Sequence, residues 1–338
     1  MNSSSVYRVV QATQPGKLEL AERPLVAPAS SEVRIKVDAC GVCHSDAATV
    51  EGLLNSHWPR VPGHELVGTI DAVGEGVHAW KVGDRVGVGF LGGSCGQCRF
   101  CRRGDLVNCE NQEITGVHRD GGYAEYTYAR PSGLVSVPDD LNSVAAAPLL
   151  CAGLTTFSAL RNSSVKAGEL VAIIGIGGLG HLAVQYANRM GYEVVAIARG
   201  AEREALARKL GAHHYIDSAS TNVSDALTAL GGASLIVATA SSGDLVSQSI
   251  KGLAPNGKAI VLGATAEPIT VASSDLLFGS RIVQGALTGD PDTADATLRF
   301  SRLTGVEAMI ETIPLDQAVA AYRKMMDGKA HLRVVLTM

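Results

Sequence analysis

The chain has 338 residues, 46% hydrophobic and 18% charged, with 38 glycines and a formal net charge of −4. That length exceeds one comfortable core, so two domains are expected, and the slight acidity leaves no footprint for nucleic acid or an anionic membrane. No stretch reaches the run of about 18 apolar residues that a membrane span needs. Residues 1–5 have no basic n-region and no apolar run behind them. The expected location is the cytoplasm, where seven reduced cysteines point to metal binding or catalysis rather than to disulfides.

In chain order, residues 6–90 read as short strands. Val33, Ile35 and Val37 alternate with Arg34 and Lys36, as a half-buried strand requires. Residues 66–70 and 85–89 look similar, with Gly and Asp between them. The result is a β-rich, barrel-like unit with long loops. Inside it lie Cys43-His44-Ser45-Asp46 and Gly63-His64-Glu65, a thiolate, an imidazole and carboxylates of the kinds that bind zinc. Cys43 and His64 are the candidate ligands. Asp46 can accept the second ring N–H of His64 and fix its tautomer, and Gly63 lets the backbone turn to aim that ring inward. A third ligand is needed, and Cys151, in Pro148-Leu-Leu-Cys151, is the candidate.

Next comes Cys95-Gly-Gln-Cys98-Arg-Phe-Cys101, followed by Cys109. Four cysteines so spaced can close around one tetrahedral ion and leave no open position, so the role is structural. A four-cysteine iron–sulfur centre fits so tight a lobe less well. Arg99, Arg102 and Arg103 read as a solvated face. Two glycines then precede Tyr123-Ala-Glu-Tyr126.

Near residue 150 the pattern changes. An apolar strand at 170–174 runs straight into Gly175-Ile-Gly-Gly-Leu-Gly180, then a helix over 181–190 and a strand at 193–197. Strand, glycines, helix and strand in that order form a dinucleotide-binding fingerprint. Gly175 makes the turn, Gly177 lets backbone N–H groups reach a pyrophosphate, and Gly180 lets helix pack on strand. Gly178 and Leu179 complete the loop, which opens a helix N-terminus suited to anions. Further strands at 214–216, 234–238, 258–262 and 281–283 make a six-stranded, doubly wound parallel sheet. Helices at 293–303 and 316–326 and a strand at 332–336 are surplus to that sheet and are expected to return to the first unit. The expected domains are 1–150, with the cysteine lobe at 92–110, then 151–289, then 290–338.

With Cys40-Gly-Val-Cys43-His-Ser-Asp46, Gly83-Asp-Arg-Val86 and Cys151-Ala-Gly-Leu-Thr155 added, the chain resembles the zinc-dependent medium-chain alcohol dehydrogenases along its whole length. The resemblance implies an α/β protein: a GroES-like β-rich catalytic domain split around a Rossmann dinucleotide-binding domain. It implies two zinc ions per chain, one held by Cys43, His64 and Cys151, the other by Cys95, Cys98, Cys101 and Cys109. Glu65 either approaches the catalytic zinc from behind or pairs with an arginine, and Cys40 is a packed thiol. Ser45 would take the proton of an alcohol, His44 and Arg333 would contact the cofactor pyrophosphate, and Thr155 would lie beside the nicotinamide. Trp58 and Phe90 would wall the substrate pocket. The implied substrates are small alcohols, aldehydes or ketones, and the implied assembly is a homo-tetramer, with a dimer as the alternative. One position departs from the pattern: many members carry a histidine where this chain has Ala48, so the proton must leave by another route. His57, in the segment 51–58, reads as a solvated loop residue.

Cofactor choice rests on the end of the second strand of the dinucleotide fold. A carboxylate is expected there in NAD-specific proteins, but the position is Ala198, followed by Arg199, with Arg203 one turn on. An arginine can bind a phosphate through paired charge-assisted hydrogen bonds, so NADP(H) is expected over NAD(H). Two other functions compete. A zinc-independent quinone or enoyl reductase of the same superfamily lacks the Cys43, His64 and Cys151 set, and a dinucleotide-binding redox sensor has no need of an open metal position.

Overall fold

The structure, a computed structural model, describes residues 5–54 and 57–338. Residues 1–4, most of the stretch read for a signal, lie outside them, as do residues 55 and 56 in the segment before Trp58. The chain forms two compact units, Met1–Cys151 with Gly289–Met338, and Ala152–Thr288.

The first unit begins with a hairpin of β1 (Val6–Gln14) and β2 (Lys17–Pro24), followed by β3 (Val33–Val42), β4 (Leu66–Val73), β5 (Arg85–Val88), β6 (Tyr126–Ala129) and β7 (Leu134–Ser136). Val33, Ile35 and Val37 of β3 are buried while Lys36 faces out, as the alternation demands. From Ala39 to Val42 every residue is buried, and full burial of Val42 alone contributes roughly 1.5 kcal/mol. That tightly held strand end delivers Cys43.

The second unit holds β8 (Leu170–Ile174), β9 (Glu193–Ala198), β10 (His214–Asp217), β11 (Ala233–Ala238), β12 (Leu253–Val261) and β13 (Ile282–Gly285). They form one sheet in the order β10-β9-β8-β11-β12-β13, every neighbouring pair parallel. All five residues of β8 are buried, because a central parallel strand is covered on both faces. The sheet is the doubly wound one expected. β12 starts earlier than the apolar run at 258–262 because its first half, with Pro255 and Asn256 exposed, carries no apolar signal.

The chain then returns to the first unit through the helix Pro291–Thr304, β14 (Ile310–Pro314), the helix Ala318–Met326 and β15 (Arg333–Thr337). β15 pairs antiparallel with β3, setting Leu336 opposite Cys40, and the sheet runs β14-β15-β3-β4-β5-β7 with β6 also on β3. β14 was not anticipated. It is an edge strand with no fully buried residue, so its sequence shows little periodicity. Among the described residues no single helix is long and apolar enough to cross a membrane.

Candidate active site and metal centres

Four donor groups of the first unit converge: Cys43, His64, Glu65 and Cys151, with one ligand atom of each within 4.8 Å of all the others. Cys43 leaves the end of β3, and the turn His44–Asp46 folds back so that Asp46 Oδ2 accepts from the Cys43 backbone N–H at 2.9 Å. His64 and Glu65 immediately precede β4. Gly63 has φ 101°, and a Cβ there would lie 2.5 Å from the Tyr123 ring, so only glycine lets the chain turn here.

His64 is 2% exposed, and its Nδ1 lies 2.8 Å from Asp46 Oδ1. Its Nε2 is buried with no hydrogen-bond partner among the described residues, an arrangement that costs free energy unless the nitrogen is a ligand. The Cys43 and Cys151 sulfurs are 3.9 Å apart, close to the edge of about 3.8 Å that two thiolates span on a tetrahedral zinc. Their mutual hydrogen bond, aided by His64, holds Cys43 well below the usual thiol range, and the same bond together with burial pushes Cys151 well above it. Burial opposes the His64 imidazolium, but Asp46 and Cys43 outweigh it and raise that group. Two sulfurs and an unpartnered imidazole nitrogen brought this close are donors that a divalent cation binds in deprotonated form. The donor set fits zinc.

Glu65 is fully buried, and both its carboxylate oxygens accept from Nη2 of Arg333 on β15. A Cβ at Gly41 would sit 1.9 Å from Glu65 Oε2, so β3 makes room for the carboxylate. Burial pushes the Glu65 carboxyl up, to about 7, against the pull of Arg333. Arg333 is 5% exposed; burial disfavours its charge, but Glu65 and Cys43 hold the guanidinium more firmly protonated.

Around this core, the Phe90 ring meets the His64 ring edge-on at 5.2 Å. Trp58 packs over Gly52 and donates from Nε1 to the Thr49 carbonyl at 3.2 Å. His44, Ser45 and His57 are exposed, whereas Ala48 is buried. Cys40 is fully buried, and burial raises its thiol far above the usual range.

The second cluster sets Cys95, Cys98, Cys101 and Cys109 within the same 4.8 Å limit, with Cys95 Sγ 4.0 Å from Cys101 Sγ and 3.6 Å from Cys109 Sγ. Asn111 Nδ2 donates to Cys95 at 3.5 Å, and backbone N–H groups donate to Cys98 and Cys109 at 3.4 Å. The bond from Asn111, with backbone N–H groups, lowers Cys95 to about 6, and backbone donors lower Cys98. Desolvation by its neighbours drives Cys101 up to about 12. Such uneven proton affinities in one four-sulfur shell also fit a tetrahedral cation.

In the second unit, Gly175 has φ 88°, and a Cβ at Gly180 would fall 1.6 Å from the Gly175 carbonyl oxygen, so the helix Gly180–Arg189 abuts the turn directly. A Cβ at Gly177 would meet nothing within 4 Å, which is the open approach a pyrophosphate needs. Gly178 and Leu179 are half-buried beside it, and Thr155 is buried in the helix Ala152–Arg161. A cavity of about 290 Å³ opens at the carboxyl ends of the strands, lined by Gly175, Ala198, Arg199, Ser218, Asp244 and Gln248 among others. Arg203, in the turn Ala201–Arg203, is exposed and does not line it.

Sequence reasoning assigned no role to Tyr123, whose hydroxyl donates to Asp46 Oδ2 at 2.8 Å. It also missed Ser218, Asp244 and Gln248. For Tyr123 the only signal was the pair of glycines before a tyrosine.

The family models agree with this geometry: an alcohol dehydrogenase GroES-like domain matches residues 29–139 and a zinc-binding dehydrogenase domain matches residues 178–302. Alcohol dehydrogenase notN of an Aspergillus species (strain MF297-2) is 44% identical over 95% of this chain and 94% of its own. The chain belongs to the zinc-dependent medium-chain alcohol dehydrogenase family. Two solved structures bear on the dehydrogenase's cofactor. CAD of Helicobacter pylori, in complex with NADP(H), is 28% identical with a TM-score of 0.85, covering 98% of both chains. Acetophenone reductase of Geotrichum candidum, in complex with NAD, is 27% identical with a TM-score of 0.83, covering 98% of this chain and 97% of its own. The alcohol dehydrogenase fold thus accompanies either nicotinamide cofactor, and the choice falls to individual residues.

Proposed function

We propose that this alcohol dehydrogenase interconverts small alcohols with aldehydes or ketones in the cytoplasm, uses NADP(H) in preference to NAD(H), and holds two zinc ions per chain. The observation that carries the catalytic reading is the buried Cys43–Cys151 pair beside an unpartnered His64 Nε2. Zinc bound there supplies Lewis acidity at neutral pH, and the nicotinamide supplies the hydride chemistry.

The chain's own residues do the rest. Cys43, His64 and Cys151 supply three ligands, and Asp46 keeps Nδ1 of His64 protonated so that Nε2 faces the metal. Glu65 is occupied by Arg333, which leaves a fourth position for substrate and reserves Arg333 for the carboxylate. A role for Arg333 at the pyrophosphate would need its remaining donors, whereas His44 is exposed and free to reach an anion. Phe90, against the His64 ring, restricts the side from which a substrate approaches, and Trp58 would add a second wall. Ser45 takes the alcohol proton. With buried Ala48 where a relay histidine would stand, Ser45, which is exposed, would release that proton toward solvent. The lobe of Cys95, Cys98, Cys101 and Cys109 holds the second zinc as a staple.

NADP(H) preference is supported by Arg199 and Ser218 on the cavity wall where Ala198 replaces a carboxylate. Asp217, on the neighbouring strand, is engaged by the Gly200 and Ala219 N–H groups and by Ser220, bonds that hold it below the usual carboxylate range. Asp244, on the same cavity wall, is the one observation that favours NAD(H). A panel of alcohols and aldehydes assayed with both cofactors decides between them. Arg199→Ala is expected to lower kcat/KM for NADP(H) about tenfold, the low end for charge-assisted hydrogen bonds at a solvent-accessible site, and to spare NAD(H). Equal or better kcat/KM with NAD(H) in the unaltered enzyme contradicts the preference. A homo-tetramer, or a dimer, is supported by exposed Leu277, Phe278, Ile282 and Leu287 in and around β13, a strand paired with β12 at the sheet edge.

A further inference from the structure

Asp46 is the point where three donors meet. Its Oδ1 faces His64 Nδ1 at 2.8 Å, and its Oδ2 accepts from the Cys43 N–H at 2.9 Å and from the Tyr123 hydroxyl at 2.8 Å. Two of these groups belong to residues that supply metal ligands. The third comes from a distant segment and has no part in the mechanism above.

Tyr123 is fully buried and clamped at both backbone ends: its N–H donates to the Pro62 carbonyl at 3.0 Å, and its carbonyl accepts from Val10 at 2.8 Å. Its ring lies where a Cβ on Gly63 would be, only 2.5 Å from the ring carbon Cδ1. The side chain therefore presses on the backbone just before His64 while its hydroxyl holds the carboxylate behind the His64 ring. A buried tyrosine needs some partner for its hydroxyl, and many would satisfy that need. Here the partner is the carboxylate that orients a ligand. A desolvated carboxylate keeps its charge and its rotamer only when its oxygens are supplied with donors, and among the described residues the Tyr123 hydroxyl is the donor on Asp46 that belongs neither to a candidate ligand side chain nor to its backbone.

We infer that Tyr123 is a positioning residue for the catalytic metal, fixing Asp46 and through it the orientation of His64. This rests on the assignment of Cys43, His64 and Cys151 as zinc ligands. Tyr123→Phe keeps the ring that packs on Gly63 and removes only the hydroxyl. Outer partners of metal ligands typically change metal affinity by 10- to 100-fold, and Tyr123 stands one bond further out, so roughly a tenfold effect is expected.

The test is zinc release from the intact, zinc-loaded enzyme to 4-(2-pyridylazo)resorcinol, with Cys43→Ser and Cys98→Ser controls to assign the two kinetic classes. Tyr123→Phe should release the catalytic zinc about tenfold faster and leave lobe zinc unchanged. With cobalt at the catalytic site, the visible d–d bands should shift. In an Asp46→Asn background, Tyr123→Phe should add little, because its path runs through that carboxylate. Unchanged release with an unchanged cobalt spectrum overturns the inference. So does equal acceleration at both sites, which marks general loosening, and so does a full Tyr123→Phe effect without the Asp46 charge. If the unaltered enzyme releases zinc from the lobe alone, the ligand assignment itself fails, and the inference with it.

Discussion

The two cysteine clusters of the first unit assemble the same thiol chemistry in opposite ways. The lobe draws all four sulfurs from one short stretch, Cys95 to Cys109, and stabilises negative charge on Cys95, Cys98 and Cys109 with local donors, backbone N–H groups and Asn111. The other cluster draws its donors from three separate segments: Cys43 follows β3, His64 precedes β4 and Cys151 precedes the helix Ala152–Arg161, with the buried Asp46 and Arg333 behind His64 and its neighbour Glu65. A closed shell made by a short loop contributes to folding, because the loop has little core of its own. A shell assembled on a sheet that is already packed can keep one position for chemistry.

The sharpest way to break this comparison is to remove one ligand from each cluster. Cys43→Ser is expected to lower turnover by more than about 100-fold, since changes to outer partners alone reach that size, while circular dichroism stays native. A variant that keeps near-normal alcohol oxidation would mean that the sheet-borne cluster is not the catalytic one. Ser45→Ala sharpens the same side. General acid–base groups contribute roughly 100-fold or more, so alcohol oxidation should slow by about that factor; unchanged rates would show that the proton leaves by another route. Cys98→Ser should act in the opposite manner. Activity per folded molecule should change least of the three, while Tm falls by roughly 5–10 °C. Normal Tm with lost activity would reverse the two roles.

The parts of this molecule that sequence revealed are those whose chemistry is local. The lobe is legible because its four ligands share one stretch, and the glycine loop because an all-buried strand runs directly into it. Cys43 and His64 stood out by residue type, and the 21-residue gap between them mattered little once β3 and β4 paired. Tyr123 did not stand out, because its relation to Asp46 exists only after the segment between β1 and the Pro62 turn has closed. Ser218, Asp244 and Gln248 were illegible for a similar reason: they reach one cavity from two places, Ser218 just after β10 and the other two on the helix Gly243–Ile250 that follows β11. Glu65 had two readings of equal standing, ligand or ion-pair partner, and the full burial of Arg333 against it could not be seen without β15 lying beside β3. β14 was missed because a half-buried edge strand has no clear period.

Metal content tests the assignment of the two clusters most directly. Purified, fully active enzyme should contain two zinc ions per chain, and mild chelation should remove one of them together with alcohol oxidation while the thermal transition stays in place. One zinc or fewer per chain in fully active enzyme, or a single zinc whose removal abolishes stability and activity together, would contradict the division of labour between the two clusters.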